Sequence, residues 1–268
     1  EWHGLFFYQG KGTPAKLCVT DGSNAGTIFL KDLGTAETIT HILPAQDFVY
    51  VIASRIVSIS PFTIEFQIWK SDGTSAGTSL IYTTPTAPFT SSPSFSSDRD
   101  DMRNFSIAGN TLFFKGYSAT EGNELWVCDG TTAGTKLVKD IKPGTGHSTP
   151  LAFCKIGNEV FFTAMAVGLE RKLWKTDGTE SGTVQVPVPE PFFILDNAVG
   201  LVNNKMIFYA HNTVDGYEPY VSDGTAAGTF MLKNIHPSGN SWLSQSQNAH
   251  LRFNNSFCFF IAYNGTAN

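Results

Sequence analysis

The chain has 268 residues, a formal net charge of −5 at pH 7 and a sequence pI near 5.6, with only 15% charged residues. That balance, without a cluster of Lys and Arg, argues against a nucleic-acid partner, and no apolar run approaches the roughly 18 residues of a membrane span. The 22 phenylalanines and 25 glycines suit half-buried strands joined by tight turns rather than long amphipathic helices.

From the N-terminus, Leu5-Phe6-Phe7-Tyr8 predicts a strand with no strand ahead of it. The chain starts at Glu1 without a methionine, as a processed terminus, a removed signal peptide or a fragment would. TDGSNAGT, from Thr20, is then the first of five octapeptides that align without a gap; the others are SDGTSAGT, CDGTTAGT, TDGTESGT and SDGTAAGT. Their aspartates are Asp21, Asp72, Asp129, Asp177 and Asp223, spaced by 51, 57, 48 and 46 residues, the period of a four-stranded propeller blade. Apolar alternation flanks each copy, as in Glu124-Leu125-Trp126-Val127 and Lys136-Leu137-Val138-Lys139, so the octapeptide joins two neighbouring strands. An aspartate there accepts backbone N–H bonds from residues ahead of it, Gly supplies positive φ, and the Thr hydroxyls close the loop. One carboxylate per copy is too few oxygen ligands for calcium, so the motif is expected to form turns, and no metal is expected.

Three residues before each aspartate stand Cys18, Trp69, Trp126, Trp174 and Tyr220, fillers between adjacent blades. The Ser-, Thr- and Pro-rich stretch 83–103 is an inserted blade-linker loop. A second recurring pattern places an apolar strand, a Gly-Asn or Asn-Asn corner and a Phe-rich strand in FSIAGNTLFFKG from Phe105, FCKIGNEVFFTA from Phe153, LVNNKMIFYA from Leu201 and FNNSFCFFIA from Phe253. Four strands per unit predict an all-β fold: a single β-propeller domain over 1–268, of four-stranded antiparallel blades. Five motif repeats plus a partial unit favour six blade positions, with five possible. The C-terminal part offers a first strand near Leu251 to Phe253 and a second near Phe257 to Tyr263. These either begin an incomplete sixth blade or close the ring around the N-terminal unit.

At ELWVCDGTTAGT, Glu124 to Thr135, the chain resembles the ELWxxDGT repeat proteins. KLWKTDGTESGT keeps the Trp and IWKSDGTSAGT keeps most of the motif, whereas KLCVTDGSNAGT and PYVSDGTAAGT lose the Trp. The resemblance spans nearly the whole chain and implies a propeller fold in a secreted or surface-anchored protein. It implies no general activity, and it makes the motif residues framework positions.

Cys18, Cys128, Cys154 and Cys258 lack metal-ligand spacing; they are read as buried thiols or, for Cys18 and Cys258, as a disulfide tying the two ends together. Sequons at Asn104, Asn254 and Asn264 offer N-glycosylation sites. The predicted innermost strands carry no Asp or Glu for the carboxylate pair of a glycosidase. No G-x-S-x-G, P-loop or H-E-x-x-H segment appears. Asp100, Asp101, Arg103, His147, Asp196, Trp242 and His250 fall in predicted connections between blades, a rim where a ligand would be met. The expected function is thus an extracellular, lectin-like module that recognises a glycan or a partner protein, without a cofactor. A structural or adhesive block of an extracellular assembly is the second reading, and a propeller hydrolase acting through Asp100, Asp101 and His147 the third.

Overall fold

The computed structural model describes residues 1–59, 62–85, 105–188, 193–237, 239–241, 252–253, 257–259 and 262–265. Among them there is no helix. The strands form successive sheets, antiparallel in every pairing given below. The first sheet has three: β1 (Phe6–Gly10), β2 (Lys16–Thr20) and β3 (Ile28–Asp32). Four follow in the second: β4 (Thr38–Pro44), β5 (Val49–Ile59), β6 (Phe62–Ser71) and β7 (Ser79–Thr83). The third sheet comprises β8 (Phe105–Ala108), β9 (Thr111–Ser118), β10 (Gly122–Cys128) and β11 (Lys136–Lys139) in that lateral order.

The fourth holds β12 (Leu151–Ile156), β13 (Glu159–Ala164), β14 (Lys172–Thr176) and β15 (Val184–Gln185). The fifth holds β16 (Phe193–Val202), β17 (Lys205–Asn212), β18 (Gly216–Ser222) and β19 (Phe230–Met231). A two-stranded sheet, β20 (Arg252–Phe253) with β21 (Cys258–Phe259), follows; Leu251, Phe260 and Ile261 of the strands expected there lie outside the described residues. The chain divides into two compact units, and the boundary runs through the third sheet.

Each unit has its own core. In the first, Leu17 and Val19 of β2 pack with Leu30, Val49, Val51 and Trp69. In the second, Phe161, Leu173, Met206, Phe208 and Tyr220 form the centre. Burying one such aromatic contributes about 1.5–3 kcal/mol. Of the residues expected to fill between blades, Trp174 stacks on Phe162 and Tyr220 on Phe208 within their own sheets, whereas Trp126 lies against Tyr82 of the neighbouring sheet.

All five octapeptides are strand-to-strand turns with one hydrogen-bond plan. Asp177 Oδ1 accepts from Thr179 N (2.8 Å) and Thr179 Oγ1 (2.7 Å), Thr179 Oγ1 accepts from Gly182 N (2.9 Å), and Thr183 Oγ1 donates back to Thr179 O (2.6 Å). The same bonds recur around Asp72, Asp129 and Asp223. The motif's second glycine is required because its Cβ would strike the carboxylate: Gly182 against Asp177, Gly228 against Asp223. Its first glycine has φ between +88° and +93° in all five copies. Three of these also lie against the sheet before: Gly73 on Leu5, Gly130 on Phe48, Gly224 on Phe161.

The hydroxyl and N–H two residues ahead hold the carboxyls of Asp21, Asp72, Asp177 and Asp223 below the ordinary aspartate value. A depressed pKa gives stability that is complete above the ordinary range and lost as pH falls through the lowered values. Gly182→Ala is expected to cost about 1–3 kcal/mol, the range for forced overpacking. Denaturant unfolding checks this, and an unchanged midpoint would contradict the turn geometry.

Candidate functional site

β10 and β18 carry the two fully buried glutamates among the described residues, Glu124 and Glu218, each five residues before a motif aspartate. Their carboxylates capture backbone from the segment that follows the same sheet. Glu124 Oε2 accepts from Ile141 N (2.9 Å) and Ser148 Oγ (2.6 Å), and its Oε1 accepts from Ser148 N (2.9 Å). Glu218 Oε2 accepts from Ile235 N (2.9 Å) and Oε1 from His236 N (3.0 Å).

Around each glutamate the neighbouring strand residue repeats the grip. Asn123 O accepts from Thr149 N (3.1 Å), and Tyr217 O accepts from Ser241 N (2.9 Å). In return, Asn123 N donates to His147 Nδ1 and Tyr217 N to Asn240 Oδ1, both at 2.9 Å. Gly122 and Gly216, at φ +73° and +78°, let the segment press in, since a Cβ would meet the carbonyls of Gly146 and Gly239. Buried Arg171 adds a cationic hold, its Nη1 donating to Thr149 O (2.8 Å). The captured segments, IKPGTGHS (141–148) and IHPSGNS (235–241), share the pattern Ile-x-Pro with a later Gly-x-Ser.

Desolvation pushes the Glu124 carboxyl above the ordinary glutamate value, even against the lowering pull of its bonds from Ser148 and Ile141. Burial therefore outweighs hydrogen bonding at this carboxylate. The group is committed to backbone, and among the described residues no three His, Cys, Asp or Glu gather as a metal centre. Burial also pushes the Cys154 thiol up to about 12, which keeps it neutral.

Of the seven residues of the expected ligand rim, the described residues include His147 and Asp196. Asp100, Asp101, Arg103, Trp242 and His250 lie outside the described residues, as do Asn104, Asn254 and the stretch 86–103 of the predicted linker loop. Asp196 lies within strand β16 rather than in a connection, because that strand runs ten residues and absorbs an irregularity of register between Ile194 and Val199. His147 is where the sequence puts it, in a connection, and its ring nitrogen receives a strand N–H. Cys18, Cys128 and Cys154 are free thiols, and the Cys258 side chain is outside the described residues. Sequence reasoning missed Glu124, Glu218 and the Ile-x-Pro segments; their signal was the Glu at a fixed offset before Asp-Gly-Thr and the second, weaker repeat after it.

No protein-family model and no curated protein matches the chain. Solved structures do. Pyrococcus horikoshii acylaminoacyl peptidase matches at 10% identity and a TM-score of 0.47, over 86% of this chain and 37% of that one. A puromycin hydrolase matches at 12% and 0.48, over 87% and 39%, and TolB from Acinetobacter baumannii at 12% and 0.40, over 82% and 50%. The chain thus spans half or less of the length of these proteins. Most of these matches bear the names of peptidases and hydrolases, which overturns the expected lectin-like module, with its glycan-binding and adhesive readings. At such identities and TM-scores none of their activities passes to this chain.

Raised folded-state pKa values give stability that is complete below the ordinary glutamate range and lost as pH rises through the folded value. Glu124→Gln is expected to cost about 1–3 kcal/mol, because the amide turns a donor toward a buried N–H. The gap between parent and variant should narrow as pH rises through the raised carboxyl pKa. Urea melts at several pH values measure it, and a gap that widens would contradict the burial argument.

Proposed function

We propose that the chain is a β-propeller framework of the ELWxxDGT-repeat kind, with six blade positions and an extracellular setting. Its sheets supply rigidity, and the segments joining them carry whatever contacts the protein makes. The observation that supports this reading best is the paired capture by Glu124 and Glu218. In two sheets the same strand position seizes the backbone leading to the next strands. The contacts of Gly73, Gly130 and Gly224 with the preceding sheet repeat in the same sense. Acidic groups that elsewhere serve as acids, bases or ligands are here bonded to backbone. Exposed Asn264, in its sequon, suits an extracellular setting.

Small-angle scattering with electron-microscope class averages tests the framework. A compact disc of this length has a radius of gyration of about 18 Å, with blades radiating from one axis in projection. An elongated particle, or one without radial blades, would overturn the reading.

A further inference from the structure

The two captured segments are gripped by one plan, with a single exchange of chemistry. In both, the strand residue ahead of the buried glutamate donates its N–H to a side chain set between glycine and serine, in Gly146-His147-Ser148 and Gly239-Asn240-Ser241. Asn123 N reaches His147 Nδ1 and Tyr217 N reaches Asn240 Oδ1, each at 2.9 Å. Each donor stands six residues before its motif aspartate, next to a glycine on which the segment rests. The two bonds thus serve one purpose. An amide oxygen accepts at every pH, whereas an imidazole nitrogen accepts only while it carries no proton.

That difference falls on the segment joining the third sheet to the fourth. With Nδ1 as acceptor, the one ring proton of neutral His147 sits on Nε2. A second proton, taken from solvent, goes to Nδ1 and meets the Asn123 N–H, so that two donors face each other. His147 is exposed, which gives solvent access to the ring. A Cβ on Gly122 would lie 2.7 Å from Nδ1, so ring and strand are in close approach.

We propose that His147 is a pH-sensitive latch: its protonation loosens the hold of Asn123 on the segment between the third and fourth sheets, while the segment after the fifth sheet stays held by Asn240. The charged groups of the adjoining elements are Glu121 ahead of β10 and Glu124 within it, Asp140 and Lys142 in the segment itself, and Glu170 and Arg171 ahead of β14. Glu124 accepts from Ser148 N, Arg171 donates to Thr149 O, the Lys142 side chain lies against Gly146, and Glu170 pairs with Lys172 at 3.3 Å. The acids favour a cation on His147 and the bases oppose it. These charges set the pH at which the latch opens, and the bond geometry sets what opening does. In the sister segment, His236 gives its backbone N–H to Glu218 and turns its ring to Tyr263, 5.3 Å between centroids, so its titration removes no bond of the grip. The inference rests on that grip and stands whether or not the sheets close into a ring.

Amide exchange read by NMR tests the latch, each rate divided by that of an unstructured amide at the same pH. From about pH 7.5 to about pH 5, protection at Asn123 should fall about three- to tenfold, the span of one hydrogen bond. Tyr217 and the strand-interior amide of Phe162 should keep theirs. His147→Asn, which installs the acceptor of the sister segment, should abolish the fall at Asn123. Asn240→His should transfer it to Tyr217, and this second variant decides the matter if the first folds poorly. Constant protection at Asn123 in the parent, a fall shared by Tyr217 or Phe162, a fall that persists in His147→Asn, or none at Tyr217 in Asn240→His would each overturn the proposal.

Discussion

A strand satisfies its backbone through its neighbours, but the segment that leaves one sheet for the next has no ladder to join. Its N–H groups, once covered, must find acceptors or cost about 1–3 kcal/mol each. Here buried carboxylates meet that demand. Glu124 takes three hydrogen bonds and Glu218 two, all from the segments that follow their own sheets. A neutral amide could not do the same, since each carboxylate oxygen of these residues faces a donor and only an acceptor-only group fits.

The arrangement has an electrostatic cost. Removing an ion from water costs several kcal/mol after relaxation, and the raised pKa of Glu124 shows that its bonds do not cancel that cost in full. The motif aspartates sit at the other limit. They are exposed, so little solvation is lost, and local hydroxyl and N–H donors hold the shifted carboxyls down. One acidic side chain type thus closes the turn between strands, where contacts are local. The longer one reaches the chain between sheets, where they are not.

That difference in range also decides how much the sequence reveals. The five octapeptides were legible because every bond that shapes them lies within six or seven residues, so the whole device is written in one window. The Phe-rich strands and their Gly-Asn or Asn-Asn corners were legible for the same reason. Glu124 was visible as a letter of its motif, but its partners lie 17 and 24 residues away and share no pattern with it. Asp196 was misplaced because an irregular strand lacks clean alternation, so ten residues of β16 read as a short strand and a connection. Trp2-His3-Gly4-Leu5 carries none of the Asn-rich signature of the other corners, and its turn shows only in the backbone angles.

The most direct measurement is residue-resolved amide hydrogen exchange in the parent, in Glu124→Gln and in Glu218→Gln. If buried carboxylates hold the segments between sheets, the parent protects Ile141, Ser148, Ile235 and His236 as well as it protects strand interiors. Glu124→Gln then loses protection at the first two alone, and Glu218→Gln at the last two alone. Fast exchange at those four amides in the parent, or protection unmoved by either substitution, would contradict the account.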